Sequence, residues 1–114
     1  PLYSSQMAEY GSTTYFQHAS VLHQFVLNLT GESQRTTELS GDAMNLEEYL
    51  EVCPLRVVEH IRIFQMCLGF YFDDIDQARE AADMLWKIPR DEDTFIGIWY
   101  FRRLYQGLVF IRLA

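Results

Sequence analysis

The sequence predicts an all-α fold made of antiparallel helical pairs, and three observations carry this prediction. From Arg56 to Ile88, apolar residues recur at spacings of three and four on both sides of Asp73-Asp74, which is the period of two amphipathic helices. This acidic turn is so short that the second helix must fold back on the first. The composition suits a packed helical core, because 49% of the residues are hydrophobic and only three are Pro.

Length, charge and cysteine content limit the possible functions. We predict a single helical-repeat domain over 1–114, a fragment of a longer chain because the sequence begins without Met and ends in an apolar run. The net charge of −7 repels phosphate backbones, so no nucleic acid partner is expected. No run of about 18 uncharged apolar residues is present, so no membrane span is predicted. Two cysteines, Cys53 and Cys67, without a signal peptide indicate reduced thiols in a cytoplasmic protein.

The amino-terminal part predicts an extended segment followed by a helix. Residues 1–12 show no sustained period and contain Gly11, so we expect an extended lead-in that turns there. The first helix then begins at Thr13 or Thr14 and ends at Gly31, which suits a left-handed closing position. Apolar residues on several faces predict that this helix is covered on more than one side. Its main stripe consists of Tyr15, Ala19, Leu22, Val26 and Leu29.

A loop and a short helix lead to the central pair. Residues 31–44 are rich in Ser, Thr and Gly and keep no apolar period, so they predict a loop, with Leu39 and Met44 as its anchors. Asn45 then caps a short helix, and Glu48 stands at the third helical position, as in a capping box.

The central pair is predicted at about 55–72 and 75–88. The carboxylate of Asp74 suits the amino-terminal cap of the second helix, and Ala78 and Ala82 should face the first helix. The polar side of the first helix is thin, so we expect this helix to be the more buried of the two. That polar side consists of Glu59, His60, Arg62 and Gln65.

The last helix carries the predicted binding surface. It begins near Asp93 or Thr94 and is apolar on nearly every face, so it is either central or needs a neighbour. Gly97 and Gly107 each cost about 1 kcal/mol relative to Ala, which close helix contacts would offset. We predict that this helix binds a protein partner or adjacent repeats of the parent chain. The predicted partner-binding residues are Phe101, Arg102, Arg103, Leu104, Tyr105, Leu108 and Val109.

The central turn resembles a known repeat. The run DDIDQA from Asp73 to Ala78 is similar to the Gly-Asp-Tyr-x-x-Ala turn of tetratricopeptide repeats, in which the acidic residue caps the second helix and the small residue allows close packing. Gln65 and Met66 depart from the Leu and Gly that this repeat prefers. The resemblance implies a right-handed stack of tetratricopeptide-like pairs.

A longer resemblance covers most of the chain. Four segments in this order resemble landmarks in the helical-repeat region of very large signalling ATPases: HQFVLNLTGE (23–32), LSGDAMNLEEYL (39–50), GFYFDDIDQARE (69–80) and LYQGLVFIRLA (104–114). Those proteins carry a nucleotide-binding module before the repeats, often with a protein kinase, histidine kinase or cyclase at one end. The resemblance implies a non-catalytic scaffold for protein–protein interaction or regulation. The nucleotide-binding residues of that family lie outside this chain, so no cofactor is predicted.

No pattern of residues predicts a reaction or a metal site. His18 and His23 are five residues apart, which places them poorly for one metal ion on a helix. His60 and Cys67 are two turns apart, about 10 Å of helix rise, too far for a nucleophile pair. We therefore expect a protein that is not an enzyme. An alternative function is a small structural subunit that docks into a larger assembly through its apolar last helix.

Overall fold

The computed structural model describes residues 2–33, 35–89 and 96–113, and the side chains among them from Thr13 onward except those of 96 and 97. The described residues form five α-helices and contain no strand, which confirms the all-α prediction. None of these helices combines the length and the apolarity that crossing a membrane requires. The helices are α1 (Leu2–Leu29), α2 (Leu46–Val52), α3 (Leu55–Tyr71), α4 (Ile75–Trp86) and α5 (Ile96–Leu113).

The first helix is much longer than the sequence suggests. α1 begins at Leu2, so the prediction of an extended segment over 1–12 is wrong for the described residues 2–12. A missing apolar period does not forbid a helix, and Gly11 weakens one by only about 1 kcal/mol. No proline follows Pro1 before the helix ends at Leu29, so nothing breaks its backbone hydrogen bonds.

The carboxyl end of α1 closes as predicted. Gly31 has a φ of 79°, the left-handed conformation that glycine adopts without a steric penalty. The N–H of Glu32 donates to the carbonyl of Leu27 at 2.8 Å, and the N–H of Gly31 donates to the carbonyl of Asn28 at 3.3 Å. These two bonds form a Schellman motif, which satisfies carbonyls that the helix leaves unpaired.

The loop that follows α1 is held by two amides on the buried side of that helix. Gln24 donates to Asn28 Oδ1 at 2.9 Å and accepts from the N–H of Ala43 at 3.0 Å. The Asn28 amide lies within hydrogen-bonding distance of three loop carbonyls. Leu39 and Met44 are buried at 0% and 4% exposure, so their predicted anchoring role is confirmed. The carbonyls belong to Arg35, Thr36 and Glu38, at 3.3, 3.0 and 2.7 Å.

This arrangement turns α1 so that its main apolar stripe faces solvent. The buried side instead carries two amides among its apolar residues, because Asn28 donates to loop carbonyls and Gln24 accepts from a loop N–H. The predicted cover over the stripe is therefore absent within the described residues. The buried residues of α1 are Ser20, Val21, Gln24, Phe25 and Asn28, and the exposed stripe is Tyr15, Ala19, Leu22, Val26 and Leu29.

Side-chain caps set the start of α2 and of α4, as predicted. Asn45 Oδ1 accepts from the N–H of Glu48 at 3.0 Å, and Asp74 Oδ1 accepts from the N–H of Gln77 at 3.2 Å. Each bond satisfies one of the free N–H groups in a first helical turn. Asp73, between α3 and α4, has a φ of 65°. This left-handed conformation helps the chain to reverse its direction within the three residues 72–74 that connect the two helices.

α3 is the central helix of the fold. It contacts α1, α4 and α5, and its contact with α4 is the most extensive between any two helices. Its predicted deep burial is confirmed, and nine of its residues are buried. Ala78 and Ala82 on α4 are buried at 0% and 5% exposure, as predicted, and Ala81 joins them at 3%. The buried residues of α3 are Val57, Glu59, Ile61, Ile63, Phe64, Met66, Cys67, Leu68 and Gly69.

Candidate functional site

α5 has an inner and an outer side, and this division separates the seven predicted partner-binding residues. Arg102, Tyr105 and Val109 are buried within the chain itself, at 5%, 8% and 2% exposure. Phe101 and Leu108 are half-buried and pack against the core. The three buried residues are not accessible to a partner, so the proposed contact surface does not include them. Arg103 and Leu104 lie on the exposed side.

Arg102 ties the inner side of α5 to two other helices. Its Nη1 donates to Glu59 Oε2 on α3 at 2.5 Å. Its Nη2 donates to the carbonyls of Leu85 and of Ile88, the latter at 2.9 Å. These carbonyls belong to the carboxyl end of α4, where unpaired acceptors and the helix dipole favour a cation.

Glu59 is the carboxylate that brings two guanidinium groups together. It is 1% exposed, and Arg56 Nη1 lies 3.3 Å from its second oxygen. Arg56 also donates to the carbonyl of Pro89 at 3.0 Å, beyond the end of α4. Glu59 is predicted on the thin polar side of α3, but it lies in the interior. Helical periodicity alone does not show that its ion partner, Arg102, is buried on another helix.

Tyr105 joins α5 to the end of α3. Its hydroxyl lies 2.6 Å from that of Tyr71, and its ring meets those of Phe70 and Phe101 at centroid distances of 6.0 and 4.7 Å. Burial, with the hydrogen bond to Tyr71, raises the pKa of Tyr105 well above its usual range. The hydroxyl therefore stays protonated, which suits a structural bond.

The outer side of α5 presents a broad apolar surface, which we call the α5 outer face. It consists of Tyr100, Leu104, Phe110 and Ile111, which are 64%, 58%, 75% and 70% exposed. Arg103 borders this face, and its guanidinium lies over the rings of Trp86 and Trp99, at 4.5 and 5.5 Å from their centroids. Isolated exposed apolar residues are ordinary, but a contiguous group on one helix is typical of an interaction site.

Sequence reasoning found Leu104 and Arg103 on this face but left out its other members. Tyr100 lies four residues before Leu104, and Ile111 seven residues after it, so the helical period could have grouped them. What the period could not supply is which side of an almost wholly apolar helix turns inward. The position of Arg102 answers that question, because its ion partner lies on α3.

The histidines and cysteines form no reactive centre. His18 and His60 meet across α1 and α3 with ring centroids 4.7 Å apart, a contact that sequence spacing did not reveal. Burial raises the pKa of the Cys67 thiol to about 12 and raises that of Cys53 with a further contribution from Glu48, so both thiols stay protonated. Among the described residues, no three His, Cys, Asp or Glu side chains are grouped to hold a metal ion.

A polar cleft of about 500 Å³ lies between the end of α1 and the loop after it. Glu32, Glu38 and Asp42 contribute carboxylates to its lining, and Arg35 pairs with Glu38 at 3.1 Å on the protein surface. The loop backbone here is already satisfied by Gln24 and Asn28 in the protein interior. This acidic cleft suits water and exchanging cations better than an apolar ligand.

Comparisons of the chain with protein-family models, with curated proteins and with solved structures found no significant match.

Proposed function

We propose that this protein is a non-catalytic helical-repeat scaffold that binds another protein, or an adjacent repeat of its parent chain, through the α5 outer face. The observation that carries the proposal is the exposure of Tyr100, Leu104, Phe110 and Ile111 on one helix whose other side is fixed to the core. A helix anchored in this way presents its apolar face without losing its own packing.

The charge of α5 indicates the chemistry of the partner. Three arginines and no acidic residue occur between Ile96 and Leu113, although the whole chain has a net charge of −7. Arg103 is exposed beside the apolar residues, and Arg112 is also exposed but forms an ion pair with Asp73. A complementary surface is therefore an amphipathic helix with apolar residues at its centre and carboxylates at its edges.

Two features support the tetratricopeptide-like, antiparallel stacking within this proposal. Asp74 caps α4, which is the role of the acidic turn residue in such repeats. A Cβ at Gly69 would lie 2.7 Å from the backbone N of Ala78, so α3 and α4 approach as closely as small residues permit. A stack of such pairs would cover the α5 outer face with the next helix.

From the resemblance to signalling ATPases, we further propose a cytoplasmic scaffold within a long chain that carries a nucleotide-binding module. The alternative is a small structural subunit that docks into an assembly through the same face. In both cases the described residues bind no cofactor and the interaction is with protein. The two possibilities differ in that only the scaffold has adjacent repeats of the same polypeptide that could contact Leu104.

Photo-crosslinking in cells that express the natural protein tests this proposal. A benzophenone amino acid replaces Leu104, and a matched variant carries it at Asp83, which is exposed on the polar face of α4. We expect a specific adduct from position 104 and none from position 83. Mass spectrometry of an adduct with a repeat of the same polypeptide supports a scaffold stacked on an adjacent repeat, and an adduct with a separate protein supports binding of a protein partner through this face. Equal labelling at both positions, or none at position 104, contradicts the proposal.

A further inference from the structure

A second apolar surface lies on α1, separate from the α5 outer face. Its members are Tyr15, Ala19, Leu22, Val26 and Leu29, and all of them are exposed. Their spacing is four, three, four and three, which is the spacing of the seam along which two helices pack as a coiled coil. We call this surface the α1 stripe.

From these observations we infer that the α1 stripe binds the α1 stripe of a second copy of this chain, with the two helices antiparallel and centred on Leu22. The inference goes beyond the proposed function, because it assigns a different helix to a different contact.

Charge favours a second copy at this face. The chain carries 16 acidic and 9 basic residues, so two copies repel each other over most of their surface. Between Thr13 and Leu29 there is no Asp, Glu, Lys or Arg. Two copies can therefore meet at the α1 stripe without repulsion between like charges and without removing any charged side chain from water. A strongly charged partner would gain nothing by preferring this face.

The residues of the stripe are arranged to complement themselves in the antiparallel direction. Tyr15 and Leu29 both lie seven residues from Leu22, so each meets the other in the second copy. Ala19 and Val26 lie three and four residues from Leu22 on opposite sides, so the smallest residue meets a larger one. A parallel pair would set Tyr15 against Tyr15 and leave a gap at Ala19. Antiparallel helices also oppose their dipoles favourably.

The exposed area predicts a modest affinity. Tyr15 and its neighbour Phe16, which flanks the α1 stripe, are 77% and 69% exposed, so together they expose about 300 Å² per copy if a free aromatic side chain presents about 200 Å². Leu22, Val26 and Leu29 are 52%, 45% and 41% exposed and bring the total for two copies to about 1,000 Å². This area lies at the lower end for specific interfaces, so we expect a dimer with micromolar affinity.

Light scattering after size-exclusion chromatography tests the inference on the 114-residue chain, loaded at about 5 to about 500 µM to span a micromolar Kd. We expect the mass to rise from monomer to dimer with concentration. Leu22→Lys should keep the chain monomeric at every concentration, while Leu104→Lys on α5 should dimerise like the wild type. Circular dichroism checks that both variants keep their helix content, which their exposed positions predict. A wild type that stays monomeric, or a dimer that Leu104→Lys abolishes and Leu22→Lys does not, overturns the inference.

Cysteine cross-linking tests the direction of the pair. The background is Cys53→Ser, because Cys53 is partly exposed whereas Cys67 is buried. Leu22→Cys should form a disulfide-linked dimer under mild oxidation, because the two positions meet at the centre. Val26→Cys should not form this dimer. In the antiparallel pair the two copies of position 26 lie on opposite sides of the centre, eight residues apart along the helix axis, so their thiols are separated by about 12 Å, which is beyond disulfide reach. Cross-linking of both variants, or of neither, contradicts the antiparallel arrangement.

Discussion

At the scale of single residues, Glu59 and Arg102 decide how three helices meet. Both are almost fully buried, and their 2.5 Å ion pair spans α3 and α5. Such a pair gains little net stability over apolar residues of the same volume, but either charge alone in the interior is costly. The pair therefore selects one rotation of α5, the rotation that leaves Leu104 outside.

A double-mutant cycle measures this coupling. Glu59→Met and Arg102→Met should each lower the free energy of unfolding by about 3 kcal/mol, because each removes the closest ion partner of a charge that stays buried. The double variant should lose clearly less than the sum of the two, because no unpaired charge remains. Urea unfolding gives all four values, and exposed Arg79→Met serves as a control with little effect. Additive losses would show that the two residues do not interact.

His18 makes stability depend on pH. Burial, and then the nearby charge of His60, lowers the pKa of His18 below 6.5, so the folded state binds fewer protons than the unfolded state. The free energy of unfolding should therefore be constant well above pH 6.5. It should fall as the pH drops below 6.5, and it should level off below the folded-state pKa of His18. The groups around it are the His60 ring, which is held through Nδ1 by the carbonyl of Arg56 at 2.7 Å, and Phe64 beside His60.

Urea unfolding at about pH 7.5 and about pH 5 tests this dependence. His18→Gln should reduce the difference between the two conditions, because its amide does not titrate. The control is His23→Gln on the exposed side of α1, which should leave the difference as in the wild type. An unchanged pH dependence in His18→Gln would show that other groups cause it.

At the scale of helices, Gly69 and Gly107 have opposite roles, although both occupy helix interiors. A Cβ on Gly69 would lie 2.7 Å from Ala78 N and 2.8 Å from Asp74 O, both backbone atoms that cannot move aside easily. A Cβ on Gly107 meets nothing within 4 Å. The expectation that close contact compensates for Gly107 is therefore wrong, and Gly97 lies outside the described side chains.

Replacing each glycine by alanine separates these roles. Gly107→Ala should raise the free energy of unfolding by up to about 1 kcal/mol, because alanine is the better helix former. Gly69→Ala should lower it by about 1–3 kcal/mol despite the same gain in propensity, because the methyl group forces α3 and α4 apart. Thermal unfolding of both variants in one buffer shows whether each substitution stabilises or destabilises the protein. A stabilised Gly69→Ala would contradict the close approach of the two helices.

The sequence was sufficient for elements whose boundaries depend on local chemistry. Asp74, Asn45 and Gly31 end or begin helices through bonds to residues within five positions, and such signals are visible in a single sequence. It was insufficient for the rotation of α1, because the apolar stripe faces solvent and the interior side carries Gln24. That rotation depends on bonds from Asn28 to loop carbonyls and from the N–H of Ala43, nineteen residues away, to Gln24, and the helical period contains no information about these bonds.

At the scale of the whole molecule, the candidate surface could be predicted only in part. The abundance of apolar residues on α5 identified the helix, but the surface depends on which residues α3 and α4 bury. Tyr105 and Val109 have the same apolar character as Leu104 and yet belong to the interior. The distinction comes from long-range contacts, which helical spacing alone does not contain.

The folded chain combines a net negative charge with exposed apolar helix faces on α1 and α5. The faces differ in charge, since Arg103 borders the apolar residues of α5, whereas the sequence from Thr13 to Leu29 on α1 has no Asp, Glu, Lys or Arg. Arg112 on α5 is paired with Asp73. Two faces of this kind allow one contact with a second copy and another with a different protein. Exposure of the α5 outer face in the folded state is the central claim.

Titration of the purified chain with a hydrophobic fluorescent dye tests this claim most directly. The folded wild type should bind the dye. Leu104→Lys should bind clearly less of it while the free energy of unfolding changes by less than about 0.5 kcal/mol, as expected for a surface position. Asp83→Lys on α4 controls for the change in charge and should bind as the wild type does. Absence of dye binding by the wild type, or a loss of several kcal/mol in Leu104→Lys, would place Leu104 in the interior and contradict the account.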